Sequence, residues 1–362
     1  MVEAFTRALE RSDVVLVTGG LGPTPDDITR EAVAAVAGRR LVRRSDLATK
    51  IEQVFERLGR EMPADNLRQA DLPEGAVAIE AEGTAPGFHL DMDGKVIFAL
   101  PGVPWEMRAM LDKDVLPELR SRAGEAVIVS REILIVGMGE SQVHAKIADI
   151  VDDQSNPTIA YLAGGGRVKV RVTAKSGTDA DARGLIAPVE VAIRDRLGIA
   201  VVEGGEAGLA AAFGAHLTSR GATVAVAESL TGGRVGAELT SVPGASDFFL
   251  GSLVVYATEA KRDLCGVPED ILERHGAVSK ETAAALAEAA ASRFGATLGL
   301  STTGVAGPDE QEGKPPGTVF VGAHLAGKTE VRQVKGYGDR ENIVALSVSA
   351  CLDLGRRLLL EA

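Results

Sequence analysis

The stretch Val224–Gly236, VAVAESLTGGRVG, decides how this chain is read. An apolar run ends at Glu228-Ser229, and a glycine pair follows at Gly232-Gly233. That order predicts a buried strand, a small-residue turn and a helix. Val14–Asp27, VVLVTGGLGPTPDD, repeats the pattern near the start. Such a turn can cradle a phosphate or present a nucleophile. ESLTGGR lacks the G-x-x-x-x-G-K-[ST] spacing, so it is not a P-loop.

Around the first stretch, residues 205–362 read as the longest coherent α/β unit. Helix Leu209–Ser219, with a glycine stop at Gly221, precedes the strand. Helix Gly233–Leu239, strand Leu253–Tyr256 and helix Glu259–Leu264 follow it. Ser279 is placed to cap a long helix, strands Thr318–Ala323 and Glu330–Val334 come next, and Asp339 can cap the last helix. Three strands thus end in polar residues, at Ser229, at Tyr256–Thr258 and at Thr302-Thr303. In an open α/β sheet, ligands gather beyond the carboxyl ends of the strands. If these ends are neighbours, Ser229, Tyr256, Lys261 and Thr303 face one pocket. A serine needs a base, and a lysine serves when desolvation lowers its pKa. Backbone N–H groups of the turn after Ser229 would suit an oxyanion. On spacing alone the plainer reading, an N-cap serine and a solvated lysine, is the commoner one.

AESLTGG, YATEAK, GVAGP, KPPGTVFVG and GDRE, in this order, resemble the C-terminal domain of the CinA family, known as a nicotinamide mononucleotide amidohydrolase. The resemblance implies Ser229 as nucleophile, Lys261 as base and Tyr256 lining the site. It implies that Ser246 and Thr303, with Gly304, orient the carboxamide, and that Gly232 and Gly233 allow close backbone approach. Arg340 is the residue expected to meet the 5′-phosphate, a fitting guanidinium partner. Many relatives carry a second arginine where this chain has Val344. The implied reaction yields nicotinate mononucleotide and ammonia, in pyridine nucleotide salvage, without a cofactor.

The first block, 1–125, also reads as α/β, with helices Val2–Arg11, Ile28–Val36, Ser45–Leu58 and Trp105–Leu119 among short strands. Asp26 and Asp27 open a helix. They either cap it or hold Mg²⁺ against a diphosphate. TGGLGPTPDD, GTAPGF (Gly83–Phe88) and LPGVPWEM (Leu100–Met107) resemble the family's N-terminal domain, which is similar to the molybdopterin-binding fold. The resemblance implies metal-dependent ADP-ribose pyrophosphatase activity there, with Asp26 and Asp27 as metal holders. A first strand of the family pattern is absent, which predicts a domain shortened by about 50 residues, a weakened activity and an exposed apolar edge that invites dimerisation.

The middle block, 126–204, is a small α+β module resembling the family's KH-type module. Its helix ADARGLIAPVEVAIRDRLG is expected to be interrupted or to start at Pro188, and VEGGEAG (Val202–Gly208) reads as an exit linker. AGGGR (Ala163–Arg167) precedes a strand and is not a G-X-X-G clamp between helices.

Composition agrees with this reading. The 362 residues suggest two or three domains of ~150 residues. A net charge of −12 argues against nucleic acid and anionic membranes as partners. Cys265 and Cys351 sit in apolar helical patterns, which argues against disulfides and zinc. The start is an amphipathic helix, and no apolar run reaches the ~18 residues of a membrane span. The expectation is a cytoplasmic, homodimeric enzyme with a small nucleotide substrate. The alternative outside enzymology is a competence-associated interaction protein.

Overall fold

The computed structural model describes residues 1–122 and 126–362. Two compact units emerge, Met1–Glu125 and Ala126–Ala362. The first expected boundary falls at 123–125, outside the described residues.

In the first unit, α1 (Val2–Arg11) leads into β1 (Val14–Thr18), and α2 (Thr29–Val36) follows the glycine turn. β2 (Leu41–Arg43), α3 (Ser45–Arg57), β3 (Asp71–Pro73), β4 (Val77–Ile79), β5 (Gly87–Met92) and β6 (Lys95–Leu100) come next. The helix expected over Trp105–Leu119 is two helices, α4 (Pro104–Met110) and α5 (Leu116–Arg122), joined by a π-helical turn. Four strands form one sheet in the order β1-β6-β5-β4, with β1 parallel to β6. β1 is an edge strand and leaves Leu16 47% exposed. β2 and β3 form a separate antiparallel pair that sequence reading missed.

The second unit begins with β7 (Val127–Val136), α6 (Glu140–Asp152), β8 (Thr158–Gly164), β9 (Arg167–Ser176) and α7 (Asp179–Leu197). The sheet order is β7-β9-β8. AGGGR is the hairpin turn between β8 and β9, with Gly165 and Gly166 both at positive φ, as a tight hairpin demands. α7 runs through Pro188 without a break. The proline and Gly184, the residue four earlier whose carbonyl loses its partner, are both exposed, so water can serve that carbonyl.

VEGGEAG is not a free linker. Val202 is buried and donates its amide to Leu134 O, and a Cβ on Gly205 would sit 2.8 Å from Leu134 Cβ. The chain continues as α8 (Leu209–Ser219), β10 (Val224–Glu228), α9 (Arg234–Thr240), β11 (Phe249–Val254), α10 (Thr258–Cys265) and α11 (Glu269–His275). α12 (Lys280–Phe294), β12 (Leu298–Gly304), β13 (Thr318–Leu325), β14 (Lys328–Lys335) and α13 (Arg340–Glu361) complete it. The sheet order is β11-β10-β12-β13-β14, parallel across the first three strands and antiparallel thereafter.

The opening stretch takes its place here. Val224 and Val226 pack toward α8 and α13, while Ala225 and Ala227 pack toward α10 and α12. A strand covered on both faces has no polar face to alternate, hence the unbroken apolar run. α13 also clasps the middle module. Its Asp353, fully buried, accepts from Arg356 Nη2 at 2.8 Å and Arg357 Nε at 2.7 Å. Those arginines reach on to the carbonyls of Ile199 and Val136.

Candidate active site

β10, β11 and β12 are neighbours, so their carboxyl ends meet. The Ser229 amide donates to Thr302 O at 2.9 Å, and the Val255 amide donates to Glu228 O at 2.8 Å. These two bonds lock the three strand ends side by side. Beyond them lies a cleft of about 440 Å³ lined by Ser229, Tyr256, Lys261, Thr303, Gly304 and Arg340 among others. Six of the residues singled out in the sequence therefore share one cavity.

Ser229 is 7% exposed, and its hydroxyl makes no hydrogen bond among the described residues. Lys261, on the first turns of α10, folds back and is 2% exposed. Its Nζ donates to the carbonyls of Val255 at 3.0 Å, Tyr256 at 3.3 Å and Ala257 at 3.4 Å. Burial pushes its pKa below the ordinary lysine range, against the opposing pull of Glu312, Cys265 and Glu259. No hydrogen bond joins Lys261 to Ser229 among the described residues. Arg340 begins α13, which Asp339 caps through the Asn342 amide at 2.9 Å. Its guanidinium spans the cleft mouth from Gly307 O (2.8 Å) to the Tyr256 hydroxyl (2.8 Å).

Thr303 lines the cleft, but its hydroxyl donates to Ala277 O at 2.6 Å and braces the loop before α12. At Gly304 a Cβ would sit 2.7 Å from Thr318 O, so this glycine serves close packing against β13. Ser246 does not join the site. It is exposed in a 3-10 turn, Ala245–Asp247, ahead of β11. β11 runs parallel to β10, so its start lies at the opposite edge of the sheet, one strand length (~20 Å) from Ser229.

The glycine turn also works differently from expectation. Gly232 and Gly233 adopt φ +59° and +97°, which favour glycine, but neither lines the cleft. The turn's amides serve Glu228, a residue that sequence reading passed over. Its fully buried carboxylate accepts from the amides of Gly233 (3.0 Å), Val235 (3.0 Å) and Gly236 (2.9 Å). The hydroxyls of Thr231 (2.7 Å) and Ser252 (2.9 Å) complete its shell. A carboxylate at the amino end of α9 is electrostatically favoured there. The available signal was an acid within an apolar run, followed by a helix-opening turn. Leu230, next after Ser229, lines the cleft, and its amide has no partner among the described residues.

In the first unit the three motif segments converge at the carboxyl ends of β1 and β6. The Gly19 amide donates to Leu100 O at 2.9 Å, and a Cβ on Gly102 would lie 3.3 Å from Gly19 Cα. A Cβ on Gly83 would collide with the Glu106 carboxylate. Asp26 is exposed, and Asp27 turns back to accept from the Thr24 amide at 2.9 Å. Burial acts to raise the Asp27 pKa, but bonds from Thr24 and Gly22 and the charge of Arg30 hold it below the usual range. α2 starts at Thr29 with no side-chain cap, so neither aspartate caps it. Among the described residues no group of three or more His, Cys, Asp or Glu is arranged to hold a metal ion. Asp26 and Asp27 belong to no such group.

The fold and the site define a three-part α/β protein whose last domain carries a serine, a buried lysine and an arginine in one cleft. Residues 206–359 match the family described as the CinA C-terminal domain, 130–202 the CinA KH domain, and 1–121 the probable molybdopterin binding domain. A CinA-like protein of Frankia casuarinae is 48% identical over 98% of this chain and 84% of its own length. A putative competence-damage inducible protein of Halothermothrix orenii is 40% identical over 94% of this chain and 83% of its own length. A solved CinA superfamily protein of Escherichia coli, 31% identical, aligns with 42% of this chain and 88% of its own, with a TM-score of 0.40. The chain belongs to the CinA family. The expected N-terminal shortening receives no support from these comparisons. No helix among the described residues is long and apolar enough to cross a membrane.

Proposed function

We propose that the C-terminal domain hydrolyses the carboxamide of nicotinamide mononucleotide to nicotinate mononucleotide and ammonia. The observation that carries this reading is a free serine hydroxyl sharing one cleft with a lysine whose burial favours the neutral amine. Ser229 Oγ attacks the amide carbon and its proton passes to Lys261 Nζ. To receive it, the amine exchanges its longest bond, to Ala257 O, for the serine hydroxyl. The Leu230 N–H meets the oxyanion. Collapse of the tetrahedral intermediate returns the proton to the leaving nitrogen and expels ammonia. Water, deprotonated by Lys261, then cleaves the seryl ester. Purified protein that releases no ammonia from this nucleotide overturns the reading.

Neutral Lys261 is the active form, so the rate is expected to rise with pH and level off below the ordinary lysine value of 10.5. A pH–rate profile still rising at that value would assign the base elsewhere. Arg340→Ala is expected to raise KM about 10–100-fold with a smaller effect on kcat, through loss of the phosphate contact. The change should vanish with nicotinamide riboside, which lacks the phosphate; an equal loss on both substrates would remove Arg340 from that role. The rival reading, metal-dependent ADP-ribose hydrolysis by the first unit, has less support because Asp27 is engaged with Thr24.

A further inference from the structure

We propose that the junction of the middle module with the C-terminal domain holds a second ligand site, for a nucleotide-like anion that pairs a phosphate with an aromatic ring. The site is a cavity of about 470 Å³ that shares no residue with the Ser229 cleft. That volume lies within the ~300–1,000 Å³ typical of small-molecule sites. Its walls are the Gly137–Gly139 turn after β7, the β8–β9 hairpin, the edge strand β14 and α13. Val136, Val168, Val334 and Leu346 supply apolar surface, and Arg332, Lys335 and Tyr337 supply the polar and aromatic groups.

The charge balance calls for an anion. Arg332, Arg356 and Arg357 all lie within 4.0 Å of the single buried carboxylate of Asp353. Three cations against one anion leave two positive charges uncompensated. Arg356 and Arg357 turn their remaining N–H groups to backbone carbonyls. Arg332 holds Asp353 only at 3.4 Å, has no other side-chain partner among the described residues, and faces the cavity. Lys335, three residues on, has no ion pair or side-chain hydrogen bond among the described residues. Arg167 also lines the cavity but is tied to Glu238 and Ser349, and Glu140 is the one acid in the lining. Such a cationic pocket in a chain of net charge −12 concentrates anions locally. A phosphate meets Arg332 as a charge-assisted hydrogen-bond donor, and Lys335, which leaves the opposite face of the edge strand, adds positive charge at the cavity's margin.

The ring assignment rests on Tyr337, which is 80% exposed on the cavity rim. An aromatic side chain there offers a face on which a base can stack. The junction is also built to keep its shape. Gly166 has φ +76°, and a Cβ there would lie 2.5 Å from Leu346 Cδ1. The Ser349 hydroxyl donates to Gly165 O at 2.6 Å. The cavity is therefore a property of the close fit between module and domain.

The test is lysine acetylation of the full chain, read by mass spectrometry, with ATP as the probe. Saturating ATP is expected to lower labelling of Lys335 at least fivefold and to leave Lys328, at the start of the same strand, unchanged. Equal labelling of Lys335 with and without ATP overturns the proposal. Inorganic phosphate is expected to protect far less; protection equal to that by ATP overturns the ring assignment. Tyr337→Ala is expected to raise the Kd for ATP at least fivefold at an unchanged Tm, and an unchanged Kd overturns the same point. Arg340→Ala is expected to leave the protection intact. Its loss in that variant would locate the bound nucleotide in the Ser229 cleft and overturn the second site, whatever the fate of the amidohydrolase reading.

Discussion

Ser229→Ala is expected to lower ammonia release from nicotinamide mononucleotide by ~10³-fold or more, with the Tm unchanged. The magnitude follows from losing the covalent route, since nucleophile removal elsewhere costs at least this much. Stability is spared because the interaction that positions residue 229 is its backbone amide on Thr302 O, which alanine keeps. The hydroxyl itself has no partner among the described residues, so removing it orphans nothing. Steady-state kinetics and a thermal melt check both halves. A variant keeping a tenth of the activity would mean that Lys261 activates water directly, and the ester intermediate would have to be abandoned.

Glu228→Ala is expected to have the larger structural effect, a loss of about 3–5 kcal/mol, because several donors lose their acceptor and each buried one left unsatisfied costs about 1–3 kcal/mol. Three amides and two hydroxyls lose their acceptor at once. The Val235 and Gly236 amides are then buried donors without a partner, while the Thr231 hydroxyl keeps Thr302 Oγ1 at 2.7 Å. Glu228→Gln should fall between the two, because one end of its amide presents N–H groups to donors. The turn that carries Ser229 loosens with either change, so kcat should fall further than KM rises. Chemical denaturation measures the first effect. A loss under about 1 kcal/mol in the alanine variant would show that water fills the vacated space and that the turn does not depend on the carboxylate.

What was legible in the sequence follows from range. The strand–turn–helix pattern placed Ser229 at a strand end because burial on both faces leaves an unbroken apolar run. The five-residue step from Tyr256 to Lys261 put the lysine within reach of the same edge. Glu228 was harder to read, since its burial depends on Ser252 and on amides from the far side of the turn. Ser246 was misplaced for a directional reason: nearness in sequence to β11 says nothing about which end of the strand it occupies. Asp26 and Asp27 looked like helix caps because the helix was expected to start at Ile28, whereas Asp27 closes its own loop on Thr24. The β2–β3 pair consists of three-residue strands, too short for a period to show.

The arginine clasp around Asp353 bears on how the second unit opens. One turn of α13 holds carbonyls at Val136 and Ile199, so neither the β7 end nor the 3-10 turn after α7 can separate without exposing the buried carboxylate. Amide protons of β7 and of the last turns of α13 are therefore expected to exchange with deuterium at a common opening free energy, as one cooperative block. Two distinct exchange classes would mean that the module frays independently. If the block is single, a perturbation at the module's surface reaches the strand ends around Ser229 through the population of that one open state, with no path of side chains between them.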